Sequence, residues 1–214
     1  MKAKQSGFTL VEIAIVLVIV GLILGGVLKG QEMITNAKVR NVVDQTTAIQ
    51  TAVLAFQDRY RAIPGDYLDA QARANIPGVR GGNGDGFIAT NAERGRFWQH
   101  LGSAGFITGS FDGRGVSNAN LTCRATTCPT NAFGGAMKYS WGQAANGSAT
   151  NAHELRIGQS IPVNVVAEID RKIDDGAPDT GSFQMDTATS GTCVTGTTYD
   201  INTDSQNCAG VRIN

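Results

Sequence analysis

Glu12 is the residue whose chemistry most needs explaining. It lies in FTLVEIAIVLVIVGLILGGVL, Phe8 to Leu28, where 16 of 21 side chains are apolar and no other charge occurs. A carboxylate in an apolar medium needs a partner, and nothing else in the run supplies one. The other chemistry-bearing residues are sparse. Asp174, Asp175 and Asp179 crowd a turn around Gly176 and Pro178, and Asn83-Gly84-Asp85-Gly86 echoes part of a calcium loop. Calcium takes about six to eight oxygens, which neither stretch supplies alone, so solvated turns are the plainer reading and calcium the weak alternative. Two histidines, His100 and His153, are too few for a His-based metal centre, and neither adjoins a candidate nucleophile. No H-E-x-x-H, G-x-S-x-G or Walker loop occurs, so the chain does not read as an enzyme. Arg94 and Arg96 beside Phe97 and Trp98 form one small basic–aromatic cluster. With 18 basic against 18 acidic side chains, no nucleic-acid partner is expected.

The element that must carry Glu12 is a membrane helix. Twenty-one residues at ~1.5 Å each span about 30 Å, the thickness of a bilayer's hydrocarbon core. Lys2 and Lys4 precede the run and hold the amino end cytoplasmic, which places everything after Leu28 outside. A cleavable secretory signal fits less well, because the run is too long and Gly25-Gly26-Val27-Leu28 offers no small-x-small site. Beyond Leu28 the apolar positions thin to Val42, Ile49, Val53, Phe56 and Tyr60, with Thr46 in phase: one stripe of an amphipathic helix. No proline occurs before Pro64, so the expectation is one nearly continuous helix from Phe8 to about Arg61, stopped at Pro64-Gly65-Asp66. Gly21/Gly25 and Gly26/Gly30, four apart, would let other helices approach closely.

These residues carry a family resemblance. Lys4-Gln5-Ser6-Gly7 followed by Phe8-Thr9-Leu10-Val11-Glu12 resembles the class III signal of type IV pilins and type II secretion pseudopilins. The resemblance implies cleavage after Gly7 by a prepilin peptidase, N-methylation of Phe8, and retention of the apolar helix. It implies that Glu12 pairs with a neighbouring subunit's amino terminus during filament assembly on an inner-membrane platform. The expected organisation is a leader at 1–7, a membrane half of the helix at 8–28, an amphipathic half at 29–63 and a head at 64–214. Loss of Lys2 and Lys4 with the leader leaves 16 basic against 18 acidic side chains.

The head holds 22 of the 27 glycines and reads as α+β: the long helix packed on a small antiparallel sheet, with short helices, loops and disulfides. A helix opening at Asn91 runs through Phe97, Trp98 and Leu101. Met137–Trp141 and Leu155–Ile157 alternate as strands. Ser160-Ile161-Pro162 starts a second helix, with Val165, Val166, Ile169 and Ile173 on one face. His100 reads as a packed helix residue, and Tyr139 and Trp141 as sheet core. In an oxidising exterior four cysteines make two disulfides, and pairing Cys123 with Cys128 and Cys193 with Cys208 is the simplest of three connectivities. A zinc site is the weaker alternative. The carboxy-terminal pair also resembles the disulfide-bounded D-region of many type IV pilins.

The resulting expectation is a structural filament subunit whose partners are other pilin or pseudopilin subunits, the prepilin peptidase/methyltransferase and the assembly platform. A minor type IV pilin is the first reading. A secretion pseudopilin and a filament-tip adhesin are the alternatives.

Overall fold

The computed structural model describes residues 9–117, 123–147 and 150–213. The chain divides into two compact units, the first ending at Ala37 and the second beginning at Lys38. The boundary lies inside helix α1, Leu10–Tyr60, so one helix contributes to both units.

In the first unit α1 buries nothing. Every large apolar side chain from Leu10 to Leu28 is exposed. In the second unit the same helix turns a stripe inward: Val39, Val42, Thr46, Ile49, Val53 and Phe56 are buried, and Tyr60 half-buried. Threonine fits this stripe because the Thr46 hydroxyl donates to the Val42 carbonyl at 2.7 Å, which leaves no unpaired polar group. The helix stops at Tyr60. Arg61 takes a left-handed φ of 53°, and Gly65, at φ 92°, lies where a Cβ would come within 2.5 Å of the Glu93 carbonyl oxygen. Glycine is therefore required at the turn that lays the chain against the next long helix.

After a short helix, α2 (Asp69–Asn75), comes α3, Asn91–Ser103. Its start is a reciprocal cap: the Thr90 hydroxyl accepts from the Glu93 amide and the Glu93 carboxylate from the Thr90 amide. Strands β1 (Lys138–Gly142) and β2 (Ala152–Arg156) pair antiparallel, Tyr139 opposite Leu155 and Trp141 opposite His153. Then follow α4 (Val163–Ile173), β3 (Phe183–Met185), α5 (Thr187–Cys193), the two-residue strands β4 (Val194–Thr195) and β5 (Thr198–Tyr199), and β6 (Gly210–Ile213). The main sheet has the order β1-β2-β6-β3, antiparallel throughout. The fold is the expected α+β.

Three boundaries differ from the sequence reading, β1 by a single residue at each end. β2 starts at Ala152, three residues before Leu155, because it pairs along the whole of β1. α4 begins at Val163, with Pro162 as its extended N-cap rather than its first helical residue. The core joins Phe56, Phe97, Trp98, Leu101, Met137, Leu155, Ile157, Ile161, Val166, Ile169 and Phe183, all fully buried. Charged groups are buried with them. Arg156 and Asp186 pair at 3.1 Å, and Asp186 also caps α5 through the Ala188 amide. Glu154 accepts from the Ala144 and Ala145 amides, and Lys138 donates to the Ser117 carbonyl at 2.9 Å.

Candidate functional site

The amino-terminal site is built around Thr9 and Glu12. The Glu12 carboxylate accepts from both the backbone amide and the hydroxyl of Thr9, each at 2.8 Å, and the Glu12 amide donates back to the Thr9 hydroxyl at 3.3 Å. Thr9-x-x-Glu12 is thus a capping box that satisfies the helix's first donors. Sequence reading had treated Glu12 alone and passed over Thr9. The signal was available, since a threonine three residues before a glutamate at the head of an apolar run is a helix-start pattern. The carboxylate is also exposed, so further donors can reach it. Gly7 and Phe8, the expected cleavage and methylation positions, lie outside the described residues.

Behind this cap the helix is long and apolar enough to cross a membrane. Its best 18-residue window has a mean hydropathy of 2.8 and none of it is buried. A Cβ added at Gly21, Gly25, Gly26 or Gly30 would meet nothing within 4 Å. No packing among the described residues demands glycine there.

In the second unit, Cys123 is bonded to Cys128 and Cys193 to Cys208, which uses all four cysteines. The latter bond closes a loop holding the β4–β5 hairpin. Tyr199 of that hairpin donates to the buried Asp170 of α4 at 2.7 Å. Burial pushes the Asp170 carboxyl up to about 6, against the pull of the Tyr199 hydrogen bond. The candidate calcium carboxylates serve as turn caps. Asp174 accepts from the Ser182 and Phe183 amides, and Asp175 from the Ala177 amide and the Thr180 hydroxyl. Asp179 is half-buried on the same turn. Among the described residues no three His, Cys, Asp or Glu side chains converge as metal ligands.

His100 is fully buried and stacked 5.9 Å from Phe56. Its Nδ1 accepts from the Gly65 amide at 2.9 Å and its Nε2 donates to the Arg80 carbonyl at 2.7 Å. Burial lowers its pKa, so it is a neutral clamp on the turn after α1. Arg94 is buried and bound to the Ala89 carbonyl and the Asn91 side chain, while Arg96 donates to the Gly81 carbonyl at 2.6 Å. With Phe97 and Trp98 fully buried, this cluster is spent on internal structure.

Neither a curated protein nor a solved structure matches the chain. One family model does: the prokaryotic N-terminal methylation motif, over residues 2–28. That range holds Gly7 and Phe8, and with them Thr9, Glu12 and the exposed apolar run that the helix and its cap single out. The chain carries the amino-terminal signature of type IV pilins and pseudopilins.

Proposed function

We propose that this protein is a structural subunit of an extracytoplasmic type IV pilus or pilus-like filament. The observation that carries the reading is the first unit of α1. It is an unburied apolar helix whose only charge before Lys29 is Glu12, and it lies within the methylation motif. Such a surface needs lipid or other helices around it, and Glu12 needs a cationic partner that the described chain does not supply. Lipid satisfies the first need before assembly. A filament satisfies both, through neighbouring helices and through the amino group that cleavage after Gly7 would create at Phe8. The glycines at 21, 25, 26 and 30 leave room for that approach.

The proposed life cycle starts with residues 1–7 on the cytoplasmic side and the head in the periplasm, the chain held in the inner membrane by residues 8–28. Prepilin peptidase removes the leader and Phe8 is methylated. The subunit then leaves the membrane for the filament through the assembly platform, carrying the amphipathic half at 29–63 and the head at 64–214. Two disulfides and a loop-rich head favour a minor pilin over a secretion pseudopilin. A structural role is favoured over catalysis because His100 and the Arg94/Arg96 pair are committed to backbone and side-chain partners within the head.

Mass spectrometry of the mature amino terminus, combined with electron microscopy of purified filaments, tests this. A mature chain beginning with N-methyl-Phe8 and detected in filaments is the expected result. A full-length, unmethylated chain that never enters a filament defeats the proposal.

A further inference from the structure

Asn83-Gly84-Asp85-Gly86 echoes part of a calcium loop in sequence, but its polar atoms are committed to one another and to Asp66. Asp66 follows the Pro64-Gly65 turn and is buried. Its two carboxylate oxygens each accept from one loop amide, Oδ1 from Gly84 and Oδ2 from Gly86, both at 2.7 Å. Asn83 is exposed and precedes a glycine, whose backbone nitrogen has no side chain beside it to hinder attack. We propose that Asn83 is a self-modifying site: the Gly84 nitrogen closes on the Asn83 carboxamide, and water then converts the residue to aspartate and isoaspartate.

Each group the reaction needs is within hydrogen-bond reach of a reacting atom. The Asn83 Oδ1 accepts from the Asp85 amide at 3.1 Å, an Asx turn that folds the side chain back over residue 84 and sets the carboxamide carbon beside the attacking nitrogen. The same Asp85 amide faces the oxygen on which negative charge develops, as an oxyanion donor does. Asp66 Oδ1 lies 2.7 Å from the Gly84 nitrogen, within the reach required of a general base. Burial raises the Asp66 pKa against the pull of the Gly86 and Gly84 amides, and the Asp85 and Glu93 charges add to the rise, which makes this carboxylate a better proton acceptor. The Asn83 Nδ2 donates to Asp85 Oδ2 at 2.8 Å, which holds the carboxamide in this orientation.

The step balances with water alone. The Gly84 nitrogen bonds to the Asn83 carboxamide carbon as its proton passes to Asp66. The bond to the carboxamide nitrogen then breaks, and the Asp66 proton, relayed through water, leaves with that nitrogen as ammonia. One water opens the resulting cyclic imide at either carbonyl, giving aspartate or isoaspartate. The second Asn-Gly pair supplies a contrast within the chain. The Gly147 amide donates to the Gln184 side-chain carbonyl at 2.9 Å, a neutral acceptor unable to take its proton, and Asn146 is half-buried. Asp85-Gly86 shares the Asp66 base through Oδ2, but its electrophile is a carboxylate, far less open to attack than a carboxamide.

The test incubates the full chain in detergent near neutral pH and follows both Asn-Gly peptides by mass spectrometry, with isoaspartate read from electron-transfer fragmentation. A parallel sample is unfolded in guanidinium chloride at the same pH. Asn83 should convert about tenfold faster in the folded chain than in the unfolded one, a modest part of what a placed general base supplies. Asn146 should not accelerate on folding. Asp66→Asn keeps the side chain's size but not its basicity, and should slow Asn83 toward the unfolded rate without changing Asn146. Two outcomes overturn the proposal: folding leaves Asn83 no faster than in the unfolded chain, or Asp66→Asn leaves its rate unchanged or raised. Either would make the hydrogen bonds a brace that protects Asn83. Where Asp66→Asn does not fold, the folded-against-unfolded comparison of the natural sequence decides alone. Neither arm depends on cleavage, methylation or filament entry, so this proposal and the filament reading fail separately.

Discussion

Helix α1 meets two different environments along one chain. From Leu10 to Leu28 its apolar residues face outward on every side, and the only polar groups able to act are the Thr9–Glu12 cap at its start. From Val39 to Phe56 the apolar residues form a single buried stripe, and Gln, Thr and charged residues occupy the rest. The backbone is the same helix in both. What differs is where the hydrophobic free energy is realised: within this chain for the second half, and only in lipid or against other molecules for the first. A residue's effect on folding and its effect on assembly should therefore separate along the helix.

Gly7→Arg and Glu12→Ala should give the largest effects, and on assembly alone. The first should leave a full-length, unmethylated precursor by mass spectrometry. The second should be processed yet depleted from filaments by immunoblot of sheared material, with the head's unfolding curve unchanged. Normal abundance of Glu12→Ala in filaments would remove the pairing role. Phe56→Ala should do the opposite, lowering head stability by about 3–5 kcal/mol in urea denaturation followed by tryptophan fluorescence. Leu22→Ala, on the exposed half, should shift that curve by less than about 0.5 kcal/mol. If both substitutions cost the same, the contrast between the two halves is wrong.

Replacing Cys193 and Cys208 by serine should cost about 3 kcal/mol, given the 15-residue separation. The measurement is the urea midpoint with and without reductant. pH provides a smaller and signed effect. Asp170 holds its proton up to about 6 in the folded head, against an ordinary 3.8. At Asp170 the folded state thus binds more protons than the unfolded chain across that interval, so the contribution of this residue to stability should rise as pH falls from 7 toward 4, against the opposite contribution of the buried His100 and His153. Asp170→Asn should flatten part of that slope. Asp66, Glu154 and Asp186, also raised by burial, act in the same direction. Lys138 runs the other way: burial brings it down to about 8 from 10.5, so stability should climb as pH rises between those values. Thr90→Ala should be the mildest change, about 1 kcal/mol from loss of the α3 cap, read as a shift in Tm.

Local features were readable from the sequence because their causes are local. The 3.6-residue spacing of Val42, Ile49, Val53 and Phe56 marked the buried stripe, and Pro64-Gly65 marked the stop within a few residues of Tyr60. The α3 helix was visible from its apolar residues and opens at Asn91 as expected, while its cap, Thr90, was not named. Strands β3 and β6 were not anticipated. Each is three or four residues long, and β6 is defined by pairing with β2 and β3, residues far away in sequence. No periodicity within so short a segment encodes that. The surroundings of Asn83 were missed for a related reason. Asn83-Gly84-Asp85-Gly86 looked like part of a calcium loop until the fold set Asp66, from the turn after α1, against its amides.

By itself, the sequence determined the apolar run, the methylation motif at residues 2–28, the isolated carboxylate at Glu12 and the four cysteines in two close-spaced pairs. These depend on residue identity and spacing along the chain, and they carry the family signature. Only the tertiary structure decided which polar side chains lose their water. Lys138, Glu154, Arg156, Asp170 and Asp186 are ordinary surface residues by type, and all are buried. Burial is set by elements that converge from distant parts of the chain, so the shifted charges, the Tyr199–Asp170 link and the Asp66 contact with the Gly84 amide exist only after the head has folded.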